Sequence, residues 1–236
     1  MTQALILASG SPRRRAFLRA LGLSFSIHVA DVEEGNGEGE PPHALVARLS
    51  REKALLVAAA HPAATVIGAD TIVTLDGRLL GKPAGPAQAA EMLRRLRGRA
   101  HVVYSGVTVC PPGGATPQTA VVGSTVWMRA YTEDEIAAYV ASGDPLDKAG
   151  AYAIQNEPFH PVARMRGCYA SVMGLPLRAL VDLLARVGIR PPVEAAAACE
   201  ARTGGPCCAG RDRVYEWDGS SLPVPDRGEI CGRRFE

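Results

Sequence analysis

Apolar residues recur along the first 190 positions in short runs and helical stripes that alternate with one another. "ALILAS" (4–9) is a continuous apolar run fit for a buried strand, and Ser11-Pro12 then supplies an N-cap and a first-turn proline for a helix through about Leu21. "SFSIHVA" (24–30) alternates with period two, as a half-buried strand does. An acidic, glycine-rich loop follows, "VEEGNGEGEPP" (32–42), and its prolines launch a long helix, "PHALVARLSREKALLVAAA" (42–60). "ATVIGADTIVTLDGRLLGKP" (64–83) holds an apolar strand and then a hairpin at Asp76-Gly77. Pro86 opens another helix, "PAQAAEMLRRLRG". Two long β-like runs, "AHVVYSGVTVC" and "TAVVGSTVWMRA", flank the turn "PPGGATP". Thr132 and Glu135 form a capping box for the helix that continues through "IAAYVAS". "GAYAIQ" (150–155) reads as a strand, and "LPLRALVDLLARVGI" (175–189) as an amphipathic helix. Strands alternating with helices predict an α/β domain over residues 1–190.

After Arg190 the periodicity stops. Residues 191–236 are rich in proline, glycine and cysteine, which predicts a flexible extension of unknown role. Four of the six cysteines (Cys199, Cys207, Cys208 and Cys231) fall there, but no C-x-x-C pair does, so a zinc module is a rival to a plain extension.

Composition narrows the classes. At 236 residues, 47% hydrophobic and 21% charged, the chain has an ordinary globular balance. Its formal net charge of +2 gives no general affinity for nucleic acid or an anionic membrane, so any anion site must be local. No apolar stretch approaches a membrane span. Positive charge follows the first apolar run where a secretory signal would put it before, so a cytoplasmic protein with reduced thiols is expected.

The candidate chemistry sits at strand ends. Helix N-termini bind anions through their amides and dipole, and arginines there fork onto phosphate oxygens, so Ser9, Ser11, Arg13 and Arg14 form a candidate phosphate cradle. The alternative is a solvated basic helix face. Asp70 and Thr71 stand at the end of an apolar strand, where open α/β sheets collect functional groups, and a carboxylate there holds a cation, takes a proton from water, or simply caps a turn. Glu33 and Glu34, past the second strand, are candidates for a second carboxylate. Lys53 and Lys82 taken singly look like surface charges. "GNGEG" lacks the spacing of a dinucleotide fingerprint, and Gly81-Lys82 lacks the rest of a P-loop.

Taken together, "LASGSPRRR", a glutamate after the second strand, "REKA", "GADTIV", "GKP" and "DKAGAYAIQ" stand in the order and spacing of the Maf family of nucleoside triphosphate pyrophosphatases, which the chain resembles over roughly residues 3–188. The resemblance implies an elongated mixed-sheet α/β fold, akin to that of the inosine triphosphate pyrophosphatases, with an irregular C-terminal extension here. It implies hydrolysis between the α- and β-phosphates to a monophosphate and pyrophosphate, with a divalent cation such as Mg or Mn. Carried over by motif position, Asp70 is the proton acceptor, and Glu34 rather than Glu33 joins Asp70 at the metal or water. Ser9, Arg13, Arg14, Lys53 and Lys82 bind the phosphates. Arg13, Thr71 and Gln155 match the branch acting on dTTP and UTP, and a glutamine amide offers the donor and acceptor that a uracil or thymine edge requires. The other branch, acting on 7-methyl-GTP, departs at the last two positions. A non-catalytic nucleotide-binding regulator of cell division is the different-class alternative, and a base at Asp70 argues against it. The expected partner is a small nucleotide; a homodimer is compatible with the resemblance. The chain departs from the family at Asn156-Glu157-Pro158, where small glycine-rich residues are common, and at Ser171, where asparagine is common.

Overall fold

The computed structural model describes residues 4–32, 35, 39–205, 207 and 208, and the backbone of 215 and 216. Glu33, Glu34 and Cys231 lie outside the described residues. The apolar run at the start forms β1 (Leu5–Leu7), and the Ser11-Pro12 signal starts α1 (Pro12–Ala20), with the Ser11 hydroxyl accepting from the Arg14 amide. β2 (Ser26–Ile27) is shorter than its alternating pattern predicted and exposed on both residues. α2 (Pro42–Ala60) spans the helix expected there. β3 (Thr65–Leu75) turns through Asp76 and Gly77, at φ 53° and 74°, into β4 (Arg78–Leu80). Both turn residues are left-handed, as a tight hairpin of this kind demands.

α3 (Pro86–Leu96), β5 (Ala100–Cys110), β6 (Gln118–Met128) and α4 (Glu133–Ala141) follow as the pattern predicts. The α4 capping box is complete: the Thr132 amide donates to Glu135 Oε2 at 2.6 Å, and the Glu135 amide to Thr132 Oγ1 at 3.2 Å. "GAYAIQ" is not a strand. It begins as a 3₁₀ turn at Ala149–Ala151, with Gly150 and Ala151 at φ 72° and 58°, which breaks any extended path. The strand at that point in the chain is instead β7 (Val162–Arg166), which the sequence reading did not identify. α5 (Tyr169–Val172) and α6 (Leu177–Arg186) complete the α/β region.

Among the described residues the sheet has eight strands, ordered β2-β1-β3-β5-β6-β7, with β4 on β3 and β8 (Tyr215–Glu216) on β6. β1 is parallel to β2 and β3, and the remaining pairs are antiparallel, so the sheet is mixed. One edge of β3 matters for function. β5 covers its far side from Val66 to Thr74, while on the near side β1 pairs only Thr65–Ile67 and β4 only Val73–Leu75. Residues 68–72, "GADTI", therefore face a gap between two partner strands.

The main core lies on the α1/α6 face, where Phe17, Leu18, Ile67, Leu180 and Leu184 are fully buried. Each such side chain contributes roughly 1.5–3 kcal/mol by leaving water. A smaller cluster beneath α2 joins Ile6, Ala54, Val57, Val66 and Cys110.

After Arg190 the chain forms a helix that the sequence reading did not find, α7 (Ala195–Thr203). It packs on α1, with Ala195, Ala198 and Cys199 inside the main core, and it stops at the left-handed Gly204. Its inward face is made of small residues, which leave a weak apolar signature. Cys199, Cys207 and Cys208 gather at its end as thiols; burial, then the neighbouring thiols, push Cys199 up to about 12. Among the described residues no helix is long and apolar enough to cross a membrane.

Candidate active site

The gap along β3 opens into a cleft of about 860 Å³, lined by Ser9, Arg13, Arg14, Lys53, Asp70, Thr71, Lys82 and Gln155 together. With Ser11, which also lines it, nine of the eleven candidate site residues thus meet in one place, and the other two, Glu33 and Glu34, lie outside the described residues. The volume falls within the range of small-molecule sites.

Consecutive residues on a strand point to opposite faces. Asp70 is directed toward α2, where Lys53 Nζ donates to its Oδ1 at 2.6 Å, with both residues more than nine-tenths buried. A buried carboxylate with an ammonium partner stays compatible with the fold, whereas either charge alone would be costly there. The pair exists because α2 crosses the sheet unusually closely. A Cβ on Gly68 would meet the Ser50 carbonyl oxygen at 2.2 Å, and one on Gly106, the register partner of Asp70, would meet the Val46 carbonyl oxygen at 2.5 Å. Two glycines therefore let α2 descend until Lys53 reaches β3.

Thr71 faces the other way. Its hydroxyl pairs with Ser105 Oγ at 2.8 Å and accepts from Arg14 Nη2 at 3.2 Å. Arg14 is further held by its Nε bond to the Gly174 carbonyl at 2.9 Å and its Nη1 bond to Ser9 Oγ at 3.0 Å. Ser105 in turn donates to the Ser171 carbonyl at 2.7 Å, which ties α5 to the site. Arg13 Nε donates to the Met173 carbonyl at 3.3 Å, and its guanidinium lies 4.0 Å from the Asp147 carboxylate. Arginine planes fixed in this way are preorganised for phosphate. Lys82 is exposed at the rim, on a loop whose Gly81 carbonyl accepts from the Gly150 amide at 3.1 Å.

Asp147, Lys148 and Tyr152 are among the lining residues that were given no role from sequence. Lys148 is buried and donates to Asp147 Oδ1 at 2.6 Å and Asp144 Oδ1 at 3.0 Å. Tyr152 is bonded through its hydroxyl to His101 Nε2 at 2.7 Å, and burial pushes the His101 imidazole down to about 4. The only sequence signal for them was their place in "DKAGAYAIQ", which names no function by itself.

A mixed α/β sheet with a strand gap that gathers two arginines, three lysines and three aspartates presents a cleft with an excess of positive charge, as a receptor for a polyanion requires. Residues 4–187 match the family model described as Maf-like protein, and the chain belongs to that family. It is 45% identical over 188 residues to the dTTP/UTP pyrophosphatase of Syntrophus aciditrophicus (strain SB), covering 80% of this chain and 92% of that one. It is 47% identical over 188 residues to the dTTP/UTP pyrophosphatase of Myxococcus xanthus (strain DK1622), covering 80% and 94%. It is 48% identical over 190 residues to the dTTP/UTP pyrophosphatase of Moorella thermoacetica (strain ATCC 39073 / JCM 9320), covering 78% and 95%.

Proposed function

We propose that this protein is a nucleoside triphosphate pyrophosphatase that hydrolyses dTTP and UTP to the monophosphate and pyrophosphate. The observation that carries the reading is the juxtaposition of the Asp70–Lys53 pair with the arginines of α1 in one cleft. The phosphates lie over the start of α1, met by Ser9, Arg13 and Arg14, with Lys53 and Lys82 on the leaving pyrophosphate. An incoming phosphate competes for the Lys53 ammonium, and the released Asp70 carboxylate accepts the proton of the attacking water. Water oxygen bonds to the α-phosphorus as the bond to the bridging oxygen breaks. The departing oxygen's charge is met by cations already in place, so little reorganisation is needed.

The donor set accommodates a divalent cation in one way. Among the described residues no group of three His, Cys, Asp or Glu side chains is arranged to hold a metal. Asp70 with the nucleotide's own phosphates suits magnesium, which binds through one or two carboxylates and keeps substrate oxygens and waters. Glu34 is the second carboxylate of this reading. When bound, the ion offsets charge on the triphosphate. Gln155, with Arg13 and Thr71, reads the pyrimidine. Residues 1–190 form the catalytic domain of this proposal, and the cytoplasm, where nucleotides and magnesium are available, is its compartment.

A panel of nucleoside triphosphates assayed for released pyrophosphate tests the proposal. The highest kcat/KM is expected on dTTP and UTP. A higher value on 7-methyl-GTP, or orthophosphate as product, would overturn it.

A further inference from the structure

The wall of the cleft from Lys148 to Gln155 is built of irregular backbone, with Gly150 and Ala151 in the left-handed region. Backbone without a ladder opens easily unless something else ties it. Here the ties converge on one carboxylate. Asp144 Oδ1 accepts from Lys148 Nζ at 3.0 Å, while its Oδ2 accepts from Tyr139 Oη at 2.6 Å and Asn156 Nδ2 at 3.2 Å. The Tyr139 hydroxyl also accepts from the Ala153 amide at 3.0 Å. The start, middle and end of the 148–156 segment are therefore all bonded to Asp144 or to its phenol partner.

Asn156 makes the far end rigid by using every polar atom it has. Its Oδ1 accepts from the Phe159 amide at 2.9 Å, its own amide donates to the Ala153 carbonyl at 3.0 Å, and its carbonyl accepts from the His160 amide at 2.9 Å. Beneath it the Tyr139 ring stacks on Phe159, with centroids 4.2 Å apart and planes 12° from parallel. Burial raises the Asp144 pKa, but the bonds from Tyr139, Lys148 and Asn156 outweigh it, and the carboxyl ends below its ordinary value. The acceptor of the network is thus ionised at neutral pH, which strengthens each bond it receives.

Neither Asp144 nor Asn156 lines the cleft, whereas Tyr152, Ala153, Ile154 and Gln155 between them do. We infer that Asp144 and Asn156 are positioning residues that set the Gln155 side chain for the pyrimidine edge, so that nucleotide selectivity depends on a clamp that touches no substrate. The inference rests on the proposed function for what Gln155 reads, but the clamp itself is a property of this chain. Loss of one hydrogen bond at such a site is expected to cost about fivefold in KM, or about 1 kcal/mol.

Asn156→Ala and Asp144→Asn are measured beside wild type for hydrogen–deuterium exchange across 148–156, for thermal midpoint, and for kcat and KM on UTP and a purine triphosphate. Expected are faster exchange confined to that segment, a KM for UTP raised about fivefold with kcat within about twofold, and a pyrimidine-over-purine ratio reduced by the same factor. In a Gln155→Ala background, Asn156→Ala is expected to add less than about 1.5-fold, because the side chain it positions is gone. Unchanged exchange in both variants would overturn the clamp whatever the enzyme hydrolyses. Faster exchange with unchanged selectivity would overturn its link to Gln155. Wild type that hydrolyses neither dTTP nor UTP would overturn the proposed function instead, leaving the exchange data to decide the clamp.

Discussion

The two walls of the cleft are made differently. On one, Asp70 and Lys53 belong to an eleven-residue strand and a nineteen-residue helix pressed together over two glycines. On the other, Gln155 belongs to a loop held by side-chain hydrogen bonds to Asp144. The first wall is fixed by backbone packing, so a fault there disturbs chemistry or folding. The second is fixed by a few bonds of modest strength, so a fault there disturbs recognition and leaves the fold standing.

The hardest break in the strand wall is chemical. Asp70→Asn keeps the side-chain shape but cannot accept a proton, and loss of a general base typically lowers rate by about 10²–10⁴-fold. A fall of that size in kcat is expected, equivalent to roughly 2.7–5.5 kcal/mol in the barrier. UTP should still bind, with Kd changed by no more than about threefold in calorimetry. A variant that keeps more than half the wild-type kcat would remove Asp70 from the reaction.

A mechanical break of the same wall comes next in size. Gly68→Ala puts a methyl group 2.2 Å from the Ser50 carbonyl and 2.7 Å from the Ala54 amide nitrogen, atoms of helix backbone that have no rotamer to yield. α2 must lift, at a cost of about 3 kcal/mol, and the thermal midpoint should fall by roughly 6–12 °C. Lys53 rides on α2, so kcat should fall as well at temperatures where the variant is folded. Gly85→Ala is the control: its φ of 175° is open to any residue, nothing stands within 4 Å of the new methyl, and a midpoint within about 3 °C of wild type is expected. Equal midpoints for the two variants would show that the close approach does not hold the wall.

The same contrast explains what could be read from the sequence. Ser11-Pro12, the Asp76-Gly77 turn and the Thr132–Glu135 box are local signals, each satisfied within four residues, and each appears where expected. The strand holding Asp70 was legible because a buried strand is a continuous apolar run, but Asp70 stands at its middle and not at the end expected from sequence, because the apolar run continues past Thr71 to Leu75. "GAYAIQ" misled because its apolar residues are buried without forming a strand: Ala151, Tyr152 and Ile154 pack into the core from a segment with no sheet partner among the described residues. Burial writes hydrophobicity into a sequence, but the loop's conformation is set by Asp144, several residues upstream, and no periodicity records that. The Lys53–Asp70 pairing was likewise invisible at a separation of 17 residues, since it depends on how closely α2 approaches β3. Motif order picked out residues that line the cleft; it did not say that Arg14 bonds there to both Ser9 and Thr71.

The smallest expected effect on activity concerns the region beyond Arg190, which meets the supports of the cleft at α1 and α5. Pro192 packs on Gly22, the Val193 amide donates to the Leu21 carbonyl at 3.2 Å, and α7 lies along α1, the helix that carries Arg13 and Arg14. Ending the chain after Cys208 removes, of the described structure, only the two-residue β8, and should leave the midpoint within about 4 °C and kcat/KM within about threefold. Ending it after Arg190 also strips Ala195, Ala198, Cys199 and Cys208 from the core, four small side chains worth about 2–3 kcal/mol together. The midpoint should then drop by roughly 4–12 °C. Arg14 would remain held by Ser9, Thr71 and Gly174, all of which stay in the shortened chain, so kcat/KM on UTP at 20 °C should still lie within about threefold of wild type, under roughly 1 kcal/mol. A tenfold loss at that temperature, with the protein shown folded by circular dichroism, would mean that α7 positions the phosphate cradle through α1 and would make the loop wall only one of two places where recognition is tuned from a distance.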